Sequence, residues 1–315
     1  MSLHNLVQST VMLAAMTALL ATIGFILAGR DGLIITAVFA FSFLTFGRGA
    51  SKTWMLAAIG AVKLRPDQAP AIHGILHELS NRAGLERVPD IYLMDADMML
   101  GFSAGRSEQD AAIVLSGPLV QGLSARELAG VLAHEVSHIV SGDLAVMGMA
   151  DLITRMTRTL SMIGLVLVLF NIPLAITGAA PGDGFIPWGA LVLLVLAPLM
   201  SFLLQMALSR VREFEADHGA VDICGDPQAL AVALEKLEIQ GQGLLRGLFL
   251  PHRPGSEPSM LRSHPVTQER VNRILRQSPA MEPLPAALIG EQHGYPSDWS
   301  GSLGLPIRWL LRWWR

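Results

Sequence analysis

The chain has 315 residues, enough for one or two domains with a substantial buried core. Hydrophobic residues make up 51% and charged residues only 16%, which excludes the composition of an ordinary soluble enzyme and favours a membrane protein with a water-exposed part. The formal net charge of −3 gives no basis for nucleic-acid binding. Cys224 is the only cysteine, so an intramolecular disulfide framework and a cysteine-based zinc cluster are excluded.

Residues 1–47 predict an N-terminal transmembrane hairpin. The first apolar run, from Val7 to Ala28, has the length of a membrane-spanning helix and lacks the basic segment that opens a secretory signal. A break from Gly29 to Asp31 leads to a second run from Gly32 to Phe46. The second run is short for a full crossing, so we expect it to tilt or to extend through Gly47.

Residues 48–158 are mixed in polarity and predict the first part of a cytoplasmic domain. An amphipathic helix is expected from Arg65 to Arg82. Short runs with strand-like composition predict a small β-sheet, with strands at residues 91–94, 101–104 and 111–115.

The pattern H-E-x-x-H follows these strands, in His134, Glu135 and His138. Residues i and i+4 share a helix face, so the two imidazoles can bind one metal ion. Glu135 projects beside them, where a carboxylate can accept a proton from water at that metal. The spacing therefore indicates a metal site with a carboxylate placed to accept a proton.

The surrounding residues predict that this pattern lies on a helix. Ser124 and Glu127 have the spacing of a capping box, an apolar surface follows, and Gly142 is suited to the C-terminal stop. A second interpretation is a chance match, with both histidines hydrogen-bonded on a packed helix. A third metal ligand would favour the metal site.

Residues 159–208 predict a second transmembrane hairpin. Its two apolar runs are joined by a turn-rich link from Gly178 to Gly184, and Pro198 is expected to kink the later run. The alternative is a hairpin buried in a soluble core, but the length of the runs and their near-absence of charge favour crossing. The sequence thus predicts four transmembrane helices.

Residues 209–315 predict the second part of the cytoplasmic domain, and its first helix offers a third ligand. A catalytic zinc site usually has three protein ligands, and Glu213 is the best candidate. Asp217 lies one turn later on the same face, where it can hydrogen-bond a ligand. The other interpretation of this cluster is a solvated, charged helix start.

The remainder of the chain predicts two further helices and a basic tail. One helix is capped by Asp226 and runs to Ile239, a loop covers Gly241 to Met260, and another helix covers Val266 to Arg276. Residues 306–315 are basic and rich in tryptophan, which is typical of an interfacial anchor.

Lysine and arginine residues favour one side of the predicted membrane. Because cytoplasmic loops carry the excess of positive charge, we expect the N-terminus, the motif helix and everything after Leu208 in the cytoplasm. Arg30 is an exception on the opposite side. The clustered residues are Arg48, Lys52, Lys63, Arg65, Arg155, Arg158, Arg210 and Arg212.

None of the other histidines is assigned to a metal. His73 and His77 are also i and i+4, but no glutamate follows His73, so exposed or capping roles are expected. The rest are isolated or face another side of their helix, and they are His4, His218, His252 and His293.

In this order, the motifs resemble the HtpX-type membrane zinc metalloproteases, relatives of the CAAX prenyl endoproteases. The resemblance covers nearly the whole chain, from the paired N-terminal spans through H-E-x-x-H with Gly142-Asp143 to E-x-x-x-D within Arg212–Asp217. Ser263-His264-Pro265, followed by Arg270, is similar to the H-P-x-x-x-x-R segment of the family.

The resemblance implies a mainly α integral membrane protein with a small β-sheet, four transmembrane helices and a cytoplasmic zincin-like (gluzincin) protease domain. It implies one zinc ion per chain, held by His134, His138 and Glu213, with Glu135 as general base and His264 near the oxyanion. The implied location is the bacterial inner membrane, and the implied process is a stress response. The implied substrates are misfolded or damaged membrane proteins, cleaved at the cytoplasmic face.

One stretch departs from the family. The family often carries Asn-Ala-Phe-Ala before the second strand, and this chain has Leu100-Gly101-Phe102-Ser103. The asparagine that would contact the substrate backbone is therefore absent, while the metal-binding pattern is unaffected. The strands between Ile91 and Leu115 are still expected to bind substrate as an added strand.

Two other functions stay open on the sequence. One is a zinc-binding membrane scaffold without protease activity, and the other is a CAAX-type processing endopeptidase. A decayed site usually lacks its base or a ligand, and neither is missing here. Four predicted spans are fewer than in the prenyl-protein enzymes, which favours quality control.

Overall fold

The computed structural model describes residues 3–46, 51–176, 188–247 and 267–289. These residues are mainly helical, with one small β-sheet. The predicted link from Gly178 to Gly184, His264 and the basic tail 306–315 lie outside them. In chain order the helices are α1 (Leu3–Phe46), α2 (Ser51–Ala58), α3 (Pro70–Arg82), α4 (Gly117–Gly122), α5 (Ala125–Val140), α6 (Asp143–Ile176), α7 (Trp188–Cys224), α8 (Pro227–Gly247), α9 (Thr267–Arg276) and α10 (Ala286–Ile289); the strands are β1 (Val62–Lys63), β2 (Asp90–Met94), β3 (Gly101–Ala104) and β4 (Ala112–Ser116).

The chain forms two compact units. The helical unit contains Met1–Arg48 and Val146–Val211, and the mixed unit contains Gly49–Ala145 and Arg212–Arg315. The chain thus leaves the mixed unit within α6 and returns to it within α7.

In the helical unit, α1 folds back on itself at Gly29, where the backbone leaves the helical region with φ 56°. A side chain on Gly32 would overlap the carbonyl oxygen of Gly24, and one on Gly24 would overlap the hydroxyl of Thr36. In a straight helix Gly24 and Thr36 would stand about 18 Å apart. The two apolar runs of α1 therefore lie side by side, packed through glycines.

Helices α6 and α7 also lie side by side in the helical unit. The hydroxyl oxygens of Thr154 and Ser201 are 3.1 Å apart, and a Cβ built on Gly164 would lie 2.9 Å from Cδ1 of Leu194. Residue numbers rise along α6 as they fall along α7, so this pair is antiparallel.

Large apolar side chains face outward from the helical unit. Ile35, Leu169 and Leu203 are examples, and their side chains are mostly exposed. Such surfaces are unfavourable in water and suited to lipid. By length and apolar composition, Asn5–Val38 and Gly189–Cys224 can cross a membrane, and a third span results if the bent pair Ala125–Val140 and Asp143–Leu167 is counted as one. The protein is an integral membrane protein, while the count of four spans stays a prediction.

The mixed unit contains a four-stranded sheet in the order β1-β2-β4-β3. Strands β2 and β4 are parallel, whereas β1 and β3 pair antiparallel with β2 and β4 respectively. The predicted strands correspond to β2, β3 and β4, and β1 was not predicted. Within the described residues, β3 is an edge strand.

Helix α5 lies at the centre of the mixed unit, against α3, α8 and β3. The predicted capping box is present, because Ser124 Oγ accepts from the Glu127 amide and the Glu127 carboxylate accepts from the Ser124 amide. Gly142 adopts φ 71° just after the helix, as its predicted stop role requires. Lys236 on α8 donates to Glu127, which ties the start of α5 to its neighbour.

Two predicted helix bounds were wrong. Helix α3 begins at Pro70 rather than Arg65, because proline is suited to the first turn and Arg65 instead donates to the side chain of Gln68 in a turn. Helix α8 continues to Gly247, past its predicted end at Ile239, since isolated glycines weaken a helix by only about 1 kcal/mol.

Gly130 sets how closely α8 approaches α5. A Cβ built there would lie 3.0 Å from Cα and 3.1 Å from the backbone nitrogen of Leu230. We expect Gly130→Val to lower stability by about 1–3 kcal/mol, because backbone atoms cannot move aside. The melting temperature in detergent measures this. Gly117→Val is the control, since a Cβ there meets nothing within 4 Å, and equal melting temperatures for both variants would contradict the prediction.

Candidate metal centre

Helix α5 brings its two motif histidines together near the middle of the mixed unit. The rings of His134 and His138 meet edge to face, with centroids 4.6 Å apart, and their Nε2 atoms are 3.1 Å apart. Both side chains are largely buried. Two ring nitrogens so close in a protein interior are suited to share one cation.

The third group of this cluster comes from α7. The Glu213 carboxylate lies 3.5 Å from Nε2 of His134 and 3.8 Å from Nε2 of His138. One ligand atom from each of the three residues falls within 4.8 Å of the others. The structure thus brings together the residues that the sequence offered as ligands.

These distances fit a zinc ion. Zinc binds imidazole nitrogen and carboxylate oxygen at about 2.0–2.2 Å in tetrahedral geometry, which separates neighbouring ligand atoms by about 3.4 Å. The two Nε2 atoms are 3.1 Å apart, and the Glu213 oxygens Oε2 and Oε1 lie 3.5 Å from His134 and 3.8 Å from His138 respectively, all close to that value. Two nitrogens and one oxygen also leave a fourth position open, as in catalytic zinc sites.

Two aspartates hold the opposite sides of the rings. Nδ1 of His134 lies 3.1 Å from Asp217, and Nδ1 of His138 lies 2.8 Å from Asp143. A carboxylate partner places the ring proton on Nδ1, so each Nε2 keeps a lone pair for a cation. Asp217, which was predicted to hydrogen-bond a ligand, thus lies close to His134, whereas the contact of Asp143 with His138 was not predicted.

Arg270 on α9 balances the charge of the carboxylates. Its guanidinium donates to both carboxylate oxygens of Asp217 at 2.7 Å and lies 3.0 Å from Glu213. Burial acts to lower the pKa of Arg270, but Glu213 and Asp217 outweigh it and raise that pKa. Arg270 therefore stays charged and fixes the orientation of both carboxylates.

The same carboxylates act on His134. Burial lowers its pKa, yet hydrogen bonding to Asp217 and Glu213 outweighs burial and raises the pKa to about 10. The site therefore attracts a positive charge strongly. A proton or a metal cation on the imidazole satisfies that demand.

A family model, Peptidase family M48, matches residues 66–278. The chain belongs to this family. Curated relatives support the assignment over most of the sequence. A protease HtpX homolog of Methylibium petroleiphilum is 33% identical over 290 residues, covering 88% of this chain and 99% of the relative. Another, from Ralstonia pickettii, is 32% identical and covers 88% of this chain and 98% of that relative.

A solved structure shares the fold. The crystal structure of S. mikatae Ste24p matches with a TM-score of 0.50 at 20% identity. The match covers 83% of this chain and 62% of the Ste24p chain. At this identity the likeness supports a shared fold and nothing finer.

The remaining predicted residues are placed as follows. Glu135 is buried on α5 beside His134, and His264 lies outside the described residues. His73 contacts the carbonyl of Leu64, and His218 contacts Gln277, so neither belongs to the cluster, as expected.

The sequence reasoning missed Asp143, Arg212 and Arg270 as members of the site. Asp143 and Arg270 lie in segments that resemble the family, but the sequence predicted no role for either residue. Their spacing gives no sign of which ring or carboxylate they contact, because they meet the cluster from the start of α6 and from α9.

Removing Arg270 should destabilise the mixed unit strongly. In Arg270→Gln the carboxylates of Asp217 and Glu213 stay buried without their counter-charge, which we expect to cost about 3–5 kcal/mol. Thermal unfolding in detergent, with metal chelated, measures the loss. Arg273→Gln is the control, since Arg273 lies one turn later on α9 and its pair with Glu269 is exposed. Similar unfolding temperatures for the two variants would refute the assignment of Arg270 as the counter-charge of Asp217 and Glu213.

Proposed function

We propose that this M48 member is a zinc-dependent endopeptidase that cleaves membrane proteins at the cytoplasmic face of the bacterial inner membrane. One observation carries the proposal, the convergence of His134, His138 and Glu213 on one point. Two helices far apart in sequence supply these ligands. The proposed cofactor is one zinc ion per chain.

The chemistry follows from the residues around that point. A zinc ion in such a site acts as a Lewis acid and makes nearby water more acidic. Glu135, beside the ligands on α5, accepts the proton of the attacking water and passes it to the leaving amine. Asp217 and Arg270 orient His134 and Glu213 and hold the site in one geometry.

His264 is proposed to donate to the oxyanion of the tetrahedral intermediate. It lies outside the described residues, so the support is the similarity of Ser263-His264-Pro265 and Arg270 to the family segment. Arg270 of the same segment is placed at the cluster.

The location rests on the positions of the site residues along the chain. Glu213 follows Leu208, the predicted end of the fourth apolar run, by five residues. We retain the division into residues 1–47, 48–158, 159–208 and 209–315, in which membrane hairpins alternate with parts of a cytoplasmic domain. The lysines and arginines that flank the two predicted hairpins favour the cytoplasmic side of the membrane for the metal site.

The edge strand β3 is the proposed binding surface for an extended substrate. A Cβ built on Gly101 would lie 3.4 Å from Val131, one turn before His134, so β3 runs beside the motif helix. Ser116 donates its amide to the carbonyl of Leu100, which turns the backbone of Leu100 toward β4. Backbone direction alternates along an antiparallel strand, so the amide and carbonyl groups of Gly101 and Ser103 point away from β4, while the Ser103 side chain is buried.

An added strand selects chain segments that are extended and unfolded. Misfolded or damaged membrane proteins expose such segments, whereas folded ones keep theirs paired. This selection supports a role in quality control under stress, in keeping with the relatives named protease HtpX homolog.

Glu135→Gln should separate metal binding from catalysis. We expect stoichiometric zinc, since Glu135 is not a ligand, and casein cleavage reduced about 100- to 10,000-fold, the range for loss of a general base. Metal analysis and a casein digest of detergent-purified protein, with and without chelator, measure both. Glu213→Ala should instead lose the metal.

The matched control is Glu127→Gln, which removes a buried glutamate from the same helix away from the cluster. Cleavage by Glu135→Gln at the wild-type rate would refute the mechanism. Zinc binding without cleavage by the wild-type chain would favour the scaffold, and cleavage restricted to prenylated C-termini would favour the CAAX-type enzyme.

Ser103→Pro tests the edge strand. Proline removes an outward amide while sparing the bonds between β3 and β4. One lost hydrogen bond of about 1 kcal/mol corresponds to roughly a fivefold lower kcat/KM for casein. Lys63→Pro is the control, because Leu64 donates to Ile91 and so directs Lys63 outward at the opposite edge, β1. Equal effects of both prolines would exclude β3 as the binding edge.

A further inference from the structure

The two motif histidines are supported by different parts of the chain. Asp217 and Arg270 support His134 from α7 and α9. His138 is supported instead by Asp143 and Arg212. Asp143 lies just before the chain leaves the mixed unit, and Arg212 is the residue at which the chain returns to it.

The contacts of His138 form a short buried series. Its Nδ1 lies 2.8 Å from Oδ2 of Asp143, and Oδ1 of Asp143 lies 3.1 Å from the Arg212 guanidinium. Both the Asp143 and the Arg212 side chains are at most 3% exposed. The same guanidinium lies 3.4 Å from Glu215 on its own helix.

Burying the Asp143 carboxylate and the Arg212 guanidinium costs free energy that their mutual contact must offset. A carboxylate taken out of water destabilises the fold unless a cation and hydrogen bonds compensate it, and Arg212 supplies the cation. Asp143 lies between Arg212 and His138, where it accepts a hydrogen bond from Nδ1 of His138. The ring is thereby fixed in the tautomer whose Nε2 lone pair faces His134 and Glu213.

The positions of the pair along the chain add a second consequence. Asp143 is the first residue of α6, and the helical unit begins three residues later, at Val146. Arg212 is the first residue after the helical unit ends at Val211. The ion pair therefore joins the start of α6 to the point in α7 at which the helical unit ends, which are the two ends of the hairpin formed by α6 and α7.

We propose that Asp143 and Arg212 are positioning residues for His138, which set the affinity of the site for zinc and clamp the two ends of the hairpin together. The inference rests on the proposed zinc site. It goes beyond that proposal, because neither residue touches the metal or the substrate. The ligand geometry then depends on contact between the starting and finishing segments of the hairpin.

Zinc affinity of the full-length protein in detergent tests the inference. We expect Asp143→Asn to bind zinc about 10- to 100-fold more weakly, the usual effect of removing the group behind a histidine ligand. An asparagine amide can donate to Nδ1 and so favour the wrong tautomer. Competition with a chromophoric chelator gives the dissociation constant, and thermal unfolding of the metal-free protein reports the fold separately.

Two further variants keep the test interpretable. Arg212→Lys retains a cation beside Asp143 and should weaken zinc binding less than Arg212→Gln. Glu127→Gln breaks the ion pair of the buried Glu127 with the partly exposed Lys236 at the other end of α5 and should leave zinc affinity within about twofold of wild type. A loss of affinity in Glu127→Gln equal to that in Asp143→Asn would assign the effect to general destabilisation and overturn the inference.

The failures of the two proposals are distinguishable. A wild-type chain that binds no zinc overturns the proposed function and this inference together. A wild-type chain that binds zinc, alongside an Asp143→Asn chain of equal affinity, overturns the inference and leaves the zinc site in place.

Discussion

The metal centre depends on the mutual compensation of buried charges. Asp143, Asp217 and Glu213 are all removed from water, and each is matched by Arg212 or Arg270. An uncompensated carboxylate in this interior would destabilise the fold by several kcal/mol. The arginines therefore do more than stabilise the fold. The carboxylate orientations that pair with them also direct one atom of each of the three ligands toward one point.

The same compensation decides what the centre can bind. Three carboxylates stand around two imidazoles, so the cluster favours a cation between the rings over an empty space. The rings keep their Nε2 atoms together because their Nδ1 atoms are occupied by Asp217 and Asp143. Imidazole nitrogen is a ligand that suits zinc, copper, iron and nickel, so the ligand set is compatible with zinc without selecting it alone.

Local features of this fold were predictable from sequence, and distant contacts were not. The capped helix α5 and strands β2 to β4 follow from residues close in sequence, and E-x-x-x-D marked Glu213 and Asp217 one turn apart. The end of α8 was mispredicted because its late glycines look like helix breakers in the sequence, although the helix tolerates them. Asp143 was missed because a charged residue at a helix start is usually solvated, and Arg212 was missed because its partner lies far away in sequence. Only the contact between α6 and α7 shows that this pair is buried.

Arg270 lies late in the sequence, and this has a consequence for biosynthesis. Domains acquire structure as the chain emerges from the ribosome, beginning at the N-terminus. His134, His138 and Glu213 are all synthesised before α9, so until α9 emerges their carboxylate neighbours lack the guanidinium that orients them. The candidate metal centre is therefore complete only after α9 has been synthesised, although its three ligands lie earlier in the chain.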